Sequence, residues 1–149
     1  MKIEIEQDRA VVETAVKIIC REKNKEIQFL YEYIRQYAKT VWVTKDGREH
    51  KLGTNEIYYV EAVDGKTFYY TVSEVLESRE SLSVVEDNLR NCSFVRVSKN
   101  CLLNISYLKS VMPYENHRLL AIMQNGEKLM VGRVYISALK KAIKEGRGL

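Results

Sequence analysis

Most of this chain consists of short runs in which apolar and polar residues alternate, with turn residues between the runs. Alternation with a period of two is typical of strands that bury one face of a sheet. Beyond residue 40 it predicts strands over 41–43, 48–52, 57–63, 67–72, 75–78, 94–97, 108–112, 118–124 and 128–131. So many short strands at close spacing indicate a mainly β domain over residues 41–149.

The turns between these runs carry residues that favour tight hairpins. Asp46-Gly47, Asp64-Gly65 and Asn125-Gly126 each separate two alternating runs, and Asp-Gly and Asn-Gly are the preferred residues of two-residue hairpin loops. A further turn is predicted over 113–116. The sheet should therefore be antiparallel.

Three helices are predicted from apolar residues at helical spacing. The first is capped by Asn24 and continues to about Ala38, and the second is capped by Ser81. The third covers 135–144. The side chains expected to face inward are Ile27, Leu30, Tyr31, Ile34 and Tyr37 in the first helix, Leu82, Val85 and Leu89 in the second, and Ile136, Leu139 and Ile143 in the third.

Residues 1–40 are predicted to form a small β-β-α appendage to the β domain. Residues 2–6 alternate strictly. Residues 14–21 fit either a strand or a helical face, and we favour a strand because the stretch is rich in β-branched residues. The appendage is interpreted as a packing element or a dimer contact, with ligand sensing as the alternative.

Size and composition place the protein among cytoplasmic globular proteins. A chain of 149 residues can bury a core without disulfides. The three cysteines, Cys20, Cys92 and Cys101, are odd in number and widely spaced, so we expect reduced thiols. No apolar run reaches the ~20 residues of a membrane-spanning helix, and no signal peptide is recognised.

Charge is divided unevenly between the two halves of the chain. Residues 1–89 hold 13 Lys and Arg against 17 Asp and Glu, whereas residues 90–149 hold 11 against 3. The second half is therefore strongly basic. Such a charge distribution favours a polyanionic partner, although a solvated charged surface alone could produce it.

The most informative stretch is FVRVSKNCLLN, residues 94–104, where two apolar runs flank a polar, basic tip at Ser98, Lys99 and Asn100. Phe94 and Val97 can anchor this stretch in a sheet. Arg96 and Lys99 are then expected to reach outward.

This stretch resembles the central motif of the LytTR family of bacterial DNA-binding domains, Phe-x-Arg-x-(His/Ser)-(Arg/Lys)-Ser followed by two apolar residues and Asn. The residues that fit it are Phe94, Arg96, Ser98, Lys99, Leu102, Leu103 and Asn104. Asn100 departs from it, because Ser is usual there, and many members have His where this chain has Ser98. Across about 41–145 the order of the other features is also similar, including a Gly132-Arg133-Val134-Tyr135 segment before the last helix.

The resemblance implies an elongated, mostly antiparallel β fold with short helices that reads duplex DNA through loops. The loops correspond here to Asp64-Gly65-Lys66, to the tip at 98–100 and to the segment around Arg133. The DNA-binding residues it implies are Lys66, Arg96, Ser98, Lys99, Asn100 and Arg133.

Each of these side chains keeps a second interpretation. Lys99 suits a guanine edge or a phosphate, and Arg133 suits either of these or a salt bridge. Asn100 suits adenine or the capping of its own turn, and Arg96 either contacts phosphate or supports the tip. Lys66 is expected to act like Arg96. Asn104 is interpreted as structural.

The predicted function is that of a stand-alone transcription regulator that binds promoter repeats as a homodimer. The 40 residues before the β domain are too few for a receiver domain, so concentration, N-terminal dimerisation or a membrane-protein regulator are the control routes left open. The alternative is a module that binds a protein or anionic ligand through its basic half. A further variant binds single-stranded RNA by stacking bases on Tyr58, Tyr59, Phe68, Tyr69 and Tyr70.

Catalysis and metal binding are not expected. His50 and His117 are isolated, and Glu61 and Asp64 are not placed to act together. No Cys-x-x-Cys pair and no glycine-rich phosphate loop is present. We therefore predict no enzyme activity, no cofactor and no metal.

Overall fold

The structure is a computed structural model that describes residues 1–37, 39–90 and 92–145. Its strands are β1 (Thr40–Lys45), β2 (Arg48–Gly53), β3 (Ile57–Val63), β4 (Lys66–Thr71), β5 (Val75–Ser78), β6 (Phe94–Ser98), β7 (Cys101–Asn104), β8 (Leu108–Tyr114), β9 (Arg118–Met123) and β10 (Lys128–Val131). Its helices are α1 (Lys25–Tyr37), α2 (Leu82–Asn88) and α3 (Ile136–Lys144). The mainly antiparallel β fold with few short helices is confirmed.

Seven strands form a large antiparallel sheet in the order β2-β1-β5-β4-β3-β7-β6. Strand β3 pairs with β4 on one side and with β7 on the other, so that Val60 lies opposite both Tyr69 and Leu102. The remaining strands form a second antiparallel sheet in the order β10-β9-β8.

The large sheet is buried on both faces around β3 and β7, whereas β2 is mostly exposed. One face packs against α2 through a cluster that includes Leu82, Val85 and Leu89. The other face packs against the small sheet and α3, with Leu103, Met123 and Leu139 fully buried. Strands buried on both sides explain why β7 has four buried residues in succession.

The predicted hairpins are present, and their turns have the required backbone. Asp46 and Gly47 have φ of 51° and 73°, and Asp64 and Gly65 have φ of 50° and 77°. Two successive residues with positive φ form the turn whose twist matches that of the flanking strands. The turn expected over 113–116 lies later, at Glu115–His117, because β8 continues through Pro113 as an outer strand.

The three predicted helices are confirmed, but the inward position expected for Tyr31 was wrong, because its side chain is 49% exposed. The Asn24 Oδ1 accepts the Ile27 N–H at 3.0 Å, and the Ser81 Oγ accepts the Val84 N–H at 3.4 Å. Ala38 lies outside the described residues. In α3 the inward positions include Ala142, whereas Ile143 is 41% exposed, so the expected inward position of Ile143 was wrong. No helix within the described ranges is long and apolar enough to cross a membrane.

The two N-terminal strands predicted over 2–6 and 14–21 are absent, so that prediction was wrong. Residues 1–24 form neither helix nor strand, apart from a turn and two bends. Alternation only produces a strand when another strand supplies hydrogen bonds and a core covers the apolar face. Within the described chain, residues 2–6 and 14–21 have neither a partner strand nor a core that covers their apolar side chains. The division into an appendage and a domain at residue 40 stays a prediction.

The buried thiol of Cys101 should make the fold sensitive to alkali. Burial, together with the nearby Glu61 carboxylate, raises its pKa from 9.0 to about 12. Below pH 9 the thiol is neutral in the folded and in the unfolded protein. Above pH 9 the thiol of the unfolded protein loses its proton before that of the folded protein does. The free energy of unfolding should therefore fall as pH rises from 9 towards 12.

Urea titrations between pH 8 and pH 11 test this expectation. The Cys101→Ala variant should show a shallower loss of stability above pH 9 than the parent chain. Cys20→Ala is the control, because Cys20 is an exposed free thiol. Equal alkaline slopes for the parent and Cys101→Ala would contradict the assignment.

Candidate nucleic-acid interface

The three loops implied by the sequence lie at one end of the large sheet. We define the loop end as residues 64–66, 98–100 and 132–133. Strands β3 and β4 meet at this end through the hairpin at 64–65, and β6 and β7 meet there through the tip. The Ala62 N–H donates to the Asn100 carbonyl at 2.8 Å, so the tip is tied to β3.

The third segment is held at the same end by the backbone of β6. The Gly132 N–H donates to the Val97 carbonyl at 2.8 Å, one residue before the tip begins. A Cβ at Gly132 would lie 3.1 Å from the Tyr135 ring. The absence of a side chain at this residue therefore lets the chain pass closely before Arg133.

Arg96 turns back over the tip instead of reaching outward as expected. Its Nε donates to the Ser98 carbonyl at 2.9 Å, its Nη2 donates to the Lys99 carbonyl, and its Nη1 lies 3.4 Å from the Glu86 Oε1. The side chain is 22% exposed. The planar guanidinium thus joins two tip carbonyls to a carboxylate on α2, which is a supporting arrangement.

Ser98 and Asn100 complete the turn. The Ser98 Oγ accepts the Asn100 N–H at 3.2 Å, and the Asn100 carbonyl accepts the bond from Ala62. Ser98 is half-buried, while the Asn100 side chain is exposed. The backbone groups of Asn100 are therefore used within the turn, and its amide is presented to solvent.

The cationic side chains of the loop end are exposed. Lys99 and Arg133 form no ion pair with any carboxylate among the described residues. The Lys66 Nζ lies 3.9 Å from the Glu77 Oε1, with both side chains largely in solvent. Such an exposed pair contributes little to stability and is easily exchanged. Lys99 and Arg133 are accordingly the two cations most available to a ligand.

Asn104 has the structural position expected for it. It is 3% exposed, its Nδ2 donates to the Ile57 carbonyl at 2.9 Å, and its Oδ1 accepts the Ser106 N–H at 3.0 Å. It therefore joins the end of β7 to the start of β3, at the end of the sheet opposite the tip.

Four of the five aromatic residues predicted as stacking platforms on β3 and β4 are buried or stacked on each other, whereas Phe68 is half-buried. Tyr58, Tyr59 and Tyr69 are buried, and Tyr70 stacks on Tyr59 with ring centroids 4.2 Å apart. Burial raises the pKa of Tyr59, and the neighbouring Glu127 raises it further. These rings fill the core and the cross-strand pairs, so the variant that binds single-stranded RNA through them is not supported.

Two residues beside the loop end, Glu86 and Val134, were not predicted from the sequence as part of the site. Glu86 was expected to be exposed, but it is half-buried beside Arg96. Val134 follows Arg133 and is 81% exposed. An apolar β-branched residue inside the GRVY segment was a visible signal, whereas no local pattern connects Glu86 to Arg96.

The described residues contain no group of three or more His, Cys, Asp or Glu that could hold a metal ion.

The fold and the site define a mainly antiparallel β domain with a basic loop end. The family model described as LytTr DNA-binding domain matches residues 47–144. The chain therefore belongs to the LytTR family of DNA-binding domains.

Several characterised proteins and one solved structure are similar to this chain. Sensory transduction protein LytT of Bacillus anthracis is 35% identical over 60% of this chain. Transcriptional regulatory protein LytR of Staphylococcus aureus is 28% identical over 72% of it. The matches cover 36% and 44% of those relatives, so the chain spans less than half of their length.

The fold has a close counterpart among solved structures. The LytTr DNA-binding domain of a Bacillus cereus protein, described as a methyl-accepting/DNA response regulator, superimposes with a TM-score of 0.65 and 25% identity. The superposition covers 70% of this chain and 95% of that domain.

Proposed function

We propose that this protein is a transcription regulator that binds duplex DNA in a sequence-specific manner through the loop end. The observation that carries the proposal is the exposure of Lys99 and Arg133 on two loops that a backbone hydrogen bond joins next to the tip. Both lie in the strongly basic half of the chain. Two cations held at one end of a sheet can donate to the phosphates of a duplex and to the base edges in its grooves.

The polar and apolar side chains at and beside the loop end have distinct proposed roles. Lys99 and Arg133 donate to guanine edges or phosphates, and the exposed amide of Asn100 is suited to adenine. Val134 offers apolar contact to a thymine methyl group. Lys66 leaves Glu77 to meet a phosphate. Arg96 and Ser98 hold the tip in shape, and neither needs to touch DNA to do so.

The similar proteins support the regulatory part of this proposal. One is named a sensory transduction protein and another a transcriptional regulatory protein. We further propose that this chain acts as a homodimer on two spaced promoter repeats, because one small loop end covers only a short site. Control by a membrane-protein regulator, by concentration or through the N-terminal residues stays an expectation from the sequence.

Binding over a series of salt concentrations tests the function and the two cations together. Fragments recovered from genomic DNA by the full chain should share a spaced repeat. On such a fragment, Lys99→Ala and Arg133→Ala should each lose about 1–3 kcal/mol of binding free energy if they read bases, with relaxed preference at one position. A phosphate contact would instead lower the slope of log K against log salt by about 0.9 per contact, on every sequence.

Matched controls come from the opposite end of the large sheet. Lys45→Ala and Arg48→Ala remove the same charges near the Asp46-Gly47 hairpin, where Lys45 pairs with Glu74 at 2.6 Å. These variants should bind almost as the parent does. Affinity that is insensitive to salt, or losses equal to those of the controls, would reject the loop end and favour a module that binds a protein or anionic ligand.

A further inference from the structure

Residues 1–24 form neither helix nor strand, and most of their apolar side chains are exposed to solvent. Ile3 and Ile5 are 85% and 96% exposed, and Val16 and Ile19 are 66% and 84% exposed. Within residues 1–23 the backbone makes one backbone hydrogen bond to described residues, from the Val11 N–H to the Asp8 carbonyl. A chain with free backbone groups and exposed apolar residues is a template for strand pairing.

The two alternating stretches in this segment are complementary to each other. In 2–6, Ile3 and Ile5 occupy one face, and the other carries Glu4 and Glu6 together with Lys2, which pairs with Glu4 at 2.5 Å. In 14–21, Val16 and Ile18 occupy one face, while the other face carries the cations Lys17 and Arg21 together with Ile19. An antiparallel pairing of the two stretches would place the apolar side chains on one face. It would place opposite charges together on the second face.

The two stretches of one chain do not pair with each other. A turn at Asp8–Val11 separates them, and neither stretch is a strand. A two-stranded hairpin alone is marginally stable, because nothing covers its apolar face. A covering surface is needed as well as a partner strand.

Helix α1 offers a second surface that the chain does not cover. Phe29, Tyr31 and Tyr33 are between 42% and 49% exposed. Phe29 and Tyr33 lie on one face of α1, whereas Tyr31 shares the opposite face with Ile27 and Ile34. Ile27 and Ile34 are only half-buried, although α1 lies against the turn at Thr54–Glu56. A second copy of the chain would supply both a partner strand and a covering surface, since the contact of a symmetric dimer uses the same surface twice.

We propose that residues 1–37 form the contact of a homodimer of this chain. Residues 2–6 of one copy pair antiparallel with residues 14–21 of the second copy, and the reciprocal pair forms by symmetry. The resulting strands cover the exposed aromatic residues of α1. The proposal rests on the homodimer of the proposed function and names the residues of its contact. The pairing of the two copies does not itself require DNA.

Sedimentation of the full chain without DNA tests the contact. The parent chain should be a dimer whose dissociation is measured by dilution. Ile5→Asp should weaken the dimer by about 10²-fold or more, because symmetry removes two buried apolar side chains at once. Since Ile5 is almost fully exposed within one chain, the variant should keep the parent's urea midpoint for unfolding of the β domain.

Reversal of charges provides a second readout that general damage would not imitate. Glu6→Lys and Lys17→Glu should each weaken the dimer, and the double variant should recover most of the loss. Glu115→Lys, on the turn between β8 and β9, is the matched control and should leave the dimer unchanged. A parent chain that stays monomeric, or an Ile5→Asp variant that dimerises as the parent does, would overturn the proposal.

DNA binding separates this proposal from the proposed function. Ile5→Asp should bind a fragment with one half-site as the parent does and lose the advantage of a fragment with two. A chain that dimerises through residues 1–37 but binds no duplex would reject the proposed function alone.

Discussion

The Arg96→Lys variant is expected to bind its target duplex roughly 10- to 100-fold more weakly than the parent chain, although the charge is kept. Lysine cannot donate to the Ser98 and Lys99 carbonyls and to Glu86 at the same time, as the guanidinium does. The tip would then lose the bonds that hold Lys99 and Asn100 in one position. Binding measured over the salt series is the readout.

The salt dependence distinguishes support of the tip from direct contact with DNA. If Arg96 only positions the tip, the slope of log K against log salt should stay that of the parent, and Glu86→Gln should weaken binding in the same direction. Arg90→Lys is the control, because Arg90 forms an exposed pair with Asp87 at 2.7 Å. An Arg96→Lys variant that binds as the parent does would show that the tip needs no such support.

The Asn104→Ala variant is expected to lose about 2–4 kcal/mol of unfolding free energy, because two buried backbone groups would lose their partners. These are the Ile57 carbonyl and the Ser106 N–H, and Asn104 is almost fully buried between them. Urea denaturation followed by circular dichroism measures the change. The folded fraction of the variant should bind DNA with nearly the parent's affinity.

Asn100→Ala is the matched control for Asn104→Ala, since it removes the same amide from the exposed tip. It should leave the urea midpoint almost unchanged and affect DNA binding instead. The opposite result, a stable Asn104→Ala variant that no longer binds DNA, would move Asn104 from the core of the fold into the interface.

The local elements of this fold could be read from the sequence because their causes are local. Asp64-Gly65 predicts a hairpin, since few residues other than Gly and Asp adopt two successive positive φ angles. Ser81 similarly predicts the start of α2, because its hydroxyl satisfies a free N–H of the first turn. These predictions needed no knowledge of the partner elements.

The two main errors of prediction concern partners on other elements of the fold. The alternation of residues 2–6 is as regular as that of true strands, and residues 14–21 are rich in β-branched residues, but neither property supplies a partner strand. Arg96 was expected to reach outward, and its contact with Glu86 on another element could not be read from either neighbourhood. The covering of one element by another is decided by the tertiary fold.

The antiparallel β class, the Asp-Gly and Asn-Gly hairpins and the residues that the loops display could be predicted from the sequence alone, because turn geometry and period-two burial depend on a few neighbouring residues. Only the tertiary structure decided that the segments around 64–66, 98–100 and 132–133 meet at one end of a sheet. That convergence depends on strand order and register, which long-range packing sets through hydrogen bonds such as those from Ala62 to Asn100 and from Gly132 to Val97.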